Sequence, residues 1–388
     1  MLPIRRNDDG SPMDASDMAA EAWQAVWSHM LKTGQKALRS NEVLAGTKCP
    51  DVQIAETPSD VVFEIDKVRV MRYRASGERR SDIPPMLICY GLFGRQTMID
   101  LQQDRSLVRN LLADGIDIYV VDWGTPTRAD QFLTLDDYID GYLRACVEFV
   151  IQQNHGQPIT VFGICEGGTF AAALAALQPE LFAGLALAIT PIDFDGDPDN
   201  FWQGEGYLNS WIKNLSRDDV DLIIDTYGML PGAMTGAVFS SLTPMASMTK
   251  YNLGLAELDG DEAAILNFLR MEKWISDRPD HPGEAARQWL NDLYRENQMV
   301  KATFEVFGEP VDLTKISCPV LNIYALQDHI IPVSCSKGLA PFIDQDRYEE
   351  IGFPGGHVGV FVSRKAQGVV AKGLSEWVFQ TQIIRDAA

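Results

Sequence analysis

Gly163-Ile164-Cys165-Glu166-Gly167 follows the apolar run Ile159 to Phe162 and precedes a run rich in small residues, Thr169 to Leu177. That order reads as strand, sharp turn and helix. In a nucleophile elbow such a turn holds its central side chain exposed at the C-terminal end of the strand. Glycines at 163 and 167 leave room for the turn, and the following helix directs its first amides at the central side chain. The hydrolytic version of this elbow carries serine, whereas this chain carries Cys165.

Sulfur changes the expected chemistry. An acyl group moved from a thioester onto cysteine remains a thioester and keeps its transfer potential, which an ester of serine would lose. Cys165 is therefore suited to accept acyl groups from coenzyme A thioesters and pass them to a hydroxyl where water is kept out. The helix N-terminus favours the thiolate form. Because most cysteines are small buried hydrophobes, the assignment needs partners.

Partners follow in the chain order nucleophile, acid, histidine that this elbow requires. Pro319 to Leu326 reads as a buried strand, and Gln327-Asp328-His329 follows it on a loop before Ile330-Ile331-Pro332. A further strand near Tyr348 to Ile351 leads into Gly352-Phe353-Pro354-Gly355-Gly356-His357, where glycines let a loop carry an imidazole back to the elbow. Asp328 is the expected acid and His357 the expected base. Of the five histidines, His29, His155 and His281 are expected to be solvated surface residues. His329 is placed either to line the site or to cap its loop.

The 388 residues, 46% of them apolar, suffice for one large core or a core with an inserted subdomain. Lys and Arg total 33 against 54 acidic residues, and the resulting net charge of −21 argues against nucleic acid or an anionic membrane as a partner. Coenzyme A is itself anionic and would need a local basic patch. The six cysteines, at 49, 89, 146, 165, 318 and 335, form no CxxC pair and no zinc spacing, so reduced thiols and no metal are expected. No apolar signal segment or membrane-length run is present, which predicts a cytoplasmic protein.

Trp23, Val26, Trp27, Met30 and Leu31 recur at helical spacing within Met18 to Leu38, and Gly34 is a plausible stop. This stripe needs cover, from the chain's own core, from a partner subunit or from a hydrophobic particle. Residues 40–60 are polar and read as a linker. From Val61 onward strands and helices alternate: Val68 to Tyr73, Met86 to Tyr90, a helix at Arg105 to Ala113, Ile116 to Val121, and a helix capped by Thr134. A doubly wound sheet follows from that alternation.

After a strand at Leu185 to Ile189 the alternation lapses until Val320. The division expected is a helix and linker over 1–60, core over 61–192, a mainly helical cap over 193–311 and core again over 312–388. Asp193, Asp195, Asp197 and Asp199 alternate as in a calcium loop, but Pro198 and Gly204 stand where that loop needs glycine and glutamate, so a solvated turn is expected. An oxyanion hole in this arrangement takes one amide from the residue after the nucleophile, Glu166, and another from Gly91-Leu92-Phe93-Gly94, with Leu92 or Phe93 as donor.

These residues resemble the polyhydroxyalkanoate synthases, in particular the catalytic subunit of the two-subunit class III enzymes. The resemblance runs from about Val61 to the C-terminus. It rests on Gly163-Ile164-Cys165-Glu166-Gly167-Gly168, Asp122-Trp123-Gly124, Thr134-Leu135-Asp136-Asp137-Tyr138-Ile139, Phe268-Leu269-Arg270-Met271-Glu272-Lys273-Trp274-Ile275, Ala325-Leu326-Gln327-Asp328-His329 and Phe353-Pro354-Gly355-Gly356-His357. It implies an α/β-hydrolase fold with a helical cap inserted before the last catalytic strands. It also implies Cys165, Asp328 and His357 as the catalytic triad, and polymerisation of (R)-3-hydroxyacyl-CoA at a cytoplasmic polyester granule without a cofactor. A separate class III partner subunit, and thus a homo- or hetero-oligomer, is implied as well.

Two positions depart from the family pattern. Gly94-Arg95-Gln96-Thr97 stands where Asn-Arg-Pro-Tyr or Asn-Lys-Tyr-Tyr is usual, and Glu166 stands where glutamine is common. The Glu166 amide still serves, but an extra carboxylate beside Cys165 opposes thiolate formation. A thioesterase or polyester depolymerase, an acyltransferase acting on a soluble alcohol, and a non-enzymatic granule-associated protein are the alternatives.

Overall fold

Apolar runs without polar alternation form strands buried on both faces, and such runs build the centre of this chain. The computed structural model describes residues 15–48, 51–75, 77–196 and 207–387. Eight strands form one sheet: β1 (Ser59–Ile65), β2 (Val68–Tyr73), β3 (Met86–Cys89), β4 (Ile118–Asp122), β5 (Ile159–Ile164), β6 (Phe182–Ala188), β7 (Val320–Ala325) and β8 (Tyr348–Phe353). Their spatial order is β1-β2-β4-β3-β5-β6-β7-β8. From β4 to β8 the neighbours run parallel, while β1 and β2 pair antiparallel with their neighbours. Every residue of β3, β5 and β6 is buried, whereas the edge strand β8 exposes Glu349 and Glu350, charges that discourage pairing with another chain.

Register carries four loops to one end of the sheet. Cys89 pairs with Gly163, Ile164 with Ala188, and Ala325 with Phe353. The loops after β3, β5, β7 and β8 therefore leave from the same carboxyl edge, where sheets of this kind bind ligands. Leu326 N–H and Gln327 N–H donate to the carbonyls of Phe353 and Gly355 at 2.8 and 2.9 Å, tying the last two loops together.

The helix after β5, Glu166–Leu177, is buried from Glu166 to Ala176, which explains its small residues: a larger face would not fit against the sheet. Glycine is obligatory at its start. A Cβ on Gly167 would run into the carbonyls of Cys89 and Tyr90, and one on Gly168 into the Thr190 side chain.

The chain divides into two compact units, residues 53–242 with 271–388, and residues 1–52 with 243–270. This division cuts across the four segments expected from the sequence. In the larger unit the interval after β6 is helical at Tyr207–Asn214, Arg217–Tyr227, Gly232–Ser241 and Gly283–Gln288. Asp193 and Asp195 both accept from Asn297 Nδ2, at 2.7 and 3.1 Å, so they anchor a turn; Asp197 and Asp199 lie outside the described residues. The smaller unit holds the helix Ala15–Gly46, which passes through Gly34, because a glycine inside a helix costs only about 1 kcal/mol. Its Arg39 pairs with Asp259, while Trp23 and Trp27 are 74% and 62% exposed. Among the described residues no helix is long and apolar enough to cross a membrane.

Replacing Gly167 with alanine is expected to destabilise the fold by about 1–3 kcal/mol, as overpacking does. A urea midpoint equal to that of the parent chain would contradict this packing account.

Candidate active site

Cys165 stands between β5 and the helix that follows, with φ 53° and ψ −127°. A positive φ is strained for a residue with a Cβ. Here it is over-determined: Cys165 N–H donates to the Ala188 carbonyl at 2.9 Å, and its own carbonyl accepts from Gly168 N–H at 2.9 Å. The turn thus points a partly exposed sulfur away from the sheet edge.

Across the edge, Asp328 is 2% exposed and saturated with hydrogen bonds. Oδ1 accepts from Ile330 and Ile331 N–H at 2.9 Å each, and Oδ2 lies 2.7 Å from His357 Nδ1. With Nδ1 engaged, the other nitrogen of His357 is left for the cavity that Cys165 and His357 both line. Burial works against a charged imidazole at His357, but the Asp328 carboxylate, by charge and by hydrogen bond, together with Cys165, outweighs it and holds the ring up at about 10. His329 is part-buried, and burial lowers its proton affinity despite the neighbouring Asp328. Three side chains expected to act together are therefore brought together.

Two of the expectations above need correction. Leu92 N–H donates at 2.5 Å to Glu166 Oε2, so it is already occupied and is withdrawn as an oxyanion donor. Phe93 N–H has no acceptor among the described residues, and Glu166 N–H, first in its helix, has none within the helix. His281, expected on the surface, is 1% exposed, because it pairs with Leu230 in a short two-stranded ladder and faces Glu166 Oε1 from Nε2 at 2.8 Å. Glu166 is itself fully buried. Sequence reasoning missed this pair; the available signal was a carboxylate on a helix start packed beneath a sheet edge, which requires a partner.

Cys165, Glu166 and His357 open onto a cavity of about 1190 Å³ including its mouth. The helices after β6 line it with Leu208, Ile212, Ile224 and Phe239, and Leu230, Trp289 and Tyr294 line it as well. Arg278 also lines it; burial lowers the charge preference of this guanidinium, which donates to the Phe93 carbonyl at 3.2 Å and lies over the Phe239 ring. At the departure from the family pattern, Arg95 donates to the Gly124 carbonyl at 2.6 Å and Trp274 Nε1 to the Arg95 carbonyl at 2.8 Å, so that segment is strapped to its neighbours. Among the described residues no cluster suited to a metal ion is present.

Sheet order, elbow and acid–histidine pair define an α/β hydrolase fold, and the family profile of that description matches residues 84–363. A highly thermostable carboxyl esterase from Bacillus coagulans superposes with a TM-score of 0.51 at 13% identity, covering 84% of this chain and 98% of that one, which bears on the fold alone. Closer in sequence are poly(3-hydroxyalkanoate) polymerase subunits PhaC. That of Thiocystis violacea is 39% identical over 83% of this chain and 88% of its own length, and that of Allochromatium vinosum 39% identical over 90% and 95%. The chain belongs to the poly(3-hydroxyalkanoate) polymerase family and is an acyltransferase.

His357 gains its proton affinity on folding, from 6.5 to about 10. Its contribution to stability is therefore complete below about pH 6.5 and is lost as pH rises through 10. The urea midpoint is expected to fall between pH 7 and 10 in the parent chain and to fall less in Asp328→Asn. Parallel curves for the two proteins would show that the pair does not control this ring.

Proposed function

We propose that the chain polymerises (R)-3-hydroxyacyl-CoA, 3-hydroxybutyryl-CoA in the first place, and that the growing acyl group is carried on Cys165. The observation that carries this reading is a cysteine on a strained elbow at the wall of an apolar cavity, which it shares with a histidine that a buried carboxylate holds.

Cys165 Sγ attacks the thioester carbonyl as a thiolate, its proton already held by His357. Charge developing on the carbonyl oxygen is met by the amides of Glu166 and Phe93. The bond to the coenzyme A sulfur breaks, and that sulfur leaves with the proton held by His357. The hydroxyl of a second unit then gives its proton to His357 while its oxygen attacks the acyl carbon, and the bond to Cys165 breaks. Asp328 orients the ring by accepting from Nδ1 and helps activate the incoming hydroxyl through it. No cofactor enters these steps. The apolar walls disfavour water as the competing acceptor, which separates polymerisation from hydrolysis.

The exposed apolar stripe of the N-terminal helix supports a further feature of the reading, an interaction surface used in the cytoplasm at the polyester granule with a class III partner subunit.

Incubation with (R)-3-hydroxybutyryl-CoA, with and without a class III partner subunit, is expected to release coenzyme A and insoluble polymer in matching amounts. Free hydroxy acid in place of polymer would make the chain a thioesterase. Cys165→Ala is expected to abolish release, and His357→Ala to slow it by about 10²–10⁴-fold, the usual worth of a general base. Cys165→Ser with near-parental polymer yield would refute the argument from sulfur.

A further inference from the structure

Glu166 and His281 are the two buried ionisable groups beside Cys165 that the steps above leave unused. Their contacts fix a proton count. The Pro282 carbonyl, 3.2 Å from His281 Nδ1, can only accept, so Nδ1 carries a hydrogen. The 2.8 Å between Nε2 and Glu166 Oε1 then requires one more proton on that line, because two lone pairs do not face each other at hydrogen-bond distance. Whether it rests on nitrogen, as imidazolium and carboxylate, or on oxygen, as imidazole and carboxylic acid, the pair is neutral as a whole.

The same two side chains hold the loop after β3. Glu166 Oε2 accepts from Leu92 N–H, the His281 ring lies 4.7 Å from the Phe93 ring, and a Cβ on Gly91 would stand 2.8 Å from Glu166 Cβ. Leu92 and Phe93 are thus each gripped by one member of the pair. We propose that Glu166 and His281 form a charge-compensated positioning pair, which sets the Phe93 amide toward Cys165 without placing a net negative charge beside the sulfur. This rests on the reading of Cys165 as the acyl carrier.

Other titratable groups do not supply the compensation. Cys89, Tyr90, Tyr138 and Tyr294 are kept neutral by burial. Asp328 and His357 are paired with each other, and the Arg278 guanidinium donates to the Phe93 carbonyl. Glutamine at 281 separates charge from packing, since its amide still donates to Glu166 but brings no proton.

The test uses the full chain as His281→Gln, Glu166→Gln and the double variant. Two rates are followed from pH 6 to 10: single-turnover coenzyme A release from (R)-3-hydroxybutyryl-CoA, and alkylation of the Cys165 peptide by iodoacetamide, read by mass spectrometry. His281→Gln is expected to slow both at neutral pH and to move the alkylation midpoint up by about one pH unit, the effect of a nearby like charge. Adding Glu166→Gln removes that charge and is expected to return the midpoint and recover at least about tenfold of the lost rate. An unmoved midpoint in His281→Gln, or a double variant no better than His281→Gln, would overturn the proposal. Alkylation needs no turnover, so absent coenzyme A release with a shifting alkylation profile would count against the acyl-carrier reading while leaving the pair's effect on the sulfur established.

Discussion

Everything at the working edge of this protein depends on one left-handed residue. Cys165 holds a conformation that L-residues disfavour, and it does so because β5 must turn into a helix within a single residue. That turn is possible only where Gly163 and Gly167 let backbones approach closer than any Cβ allows, and where Gly168 makes room for the Thr190 side chain. The cost is local, and burial of β5 and its helix offsets it. What results is a cysteine whose position is set by the core of the protein and not by a loop.

Around that fixed point the chemistry is divided between two sides. On one, Asp328 is held by two backbone amides and in turn holds His357, so the imidazole has a single orientation. On the other, the loop after β3 supplies an amide whose neighbours are gripped by Glu166, His281 and Arg278. The cavity between them is apolar, and it strengthens each of these interactions by excluding competing solvent. On the proposed reading, a thioester formed on Cys165 meets an alcohol in such a space more readily than it meets water.

Much of this was legible in the chain. Strands β3 to β6 announced themselves by apolar runs, and the placement of Cys165, Asp328 and His357 by their order and by the glycines around them, because a sharp turn leaves a local signature. What was not legible depended on contacts distant in sequence. His281 stands in a polar stretch, and only its short ladder with Leu230 buries it. The Leu92 amide looked free because its acceptor, Glu166, lies 74 positions away. The N-terminal helix ran past Gly34 to Gly46, since one glycine weakens a helix without ending it.

The central claim is that the acyl group passes through Cys165, and the most direct test is to catch it there. The chain is mixed with (R)-3-hydroxybutyryl-CoA, quenched in acid within the first turnover, digested and analysed by mass spectrometry. The account predicts a hydroxyacyl adduct on the peptide carrying Cys165, cleaved by hydroxylamine and absent from Cys165→Ala. Acyl transfer that persists in Cys165→Ala, or an adduct found only on another residue, would contradict it.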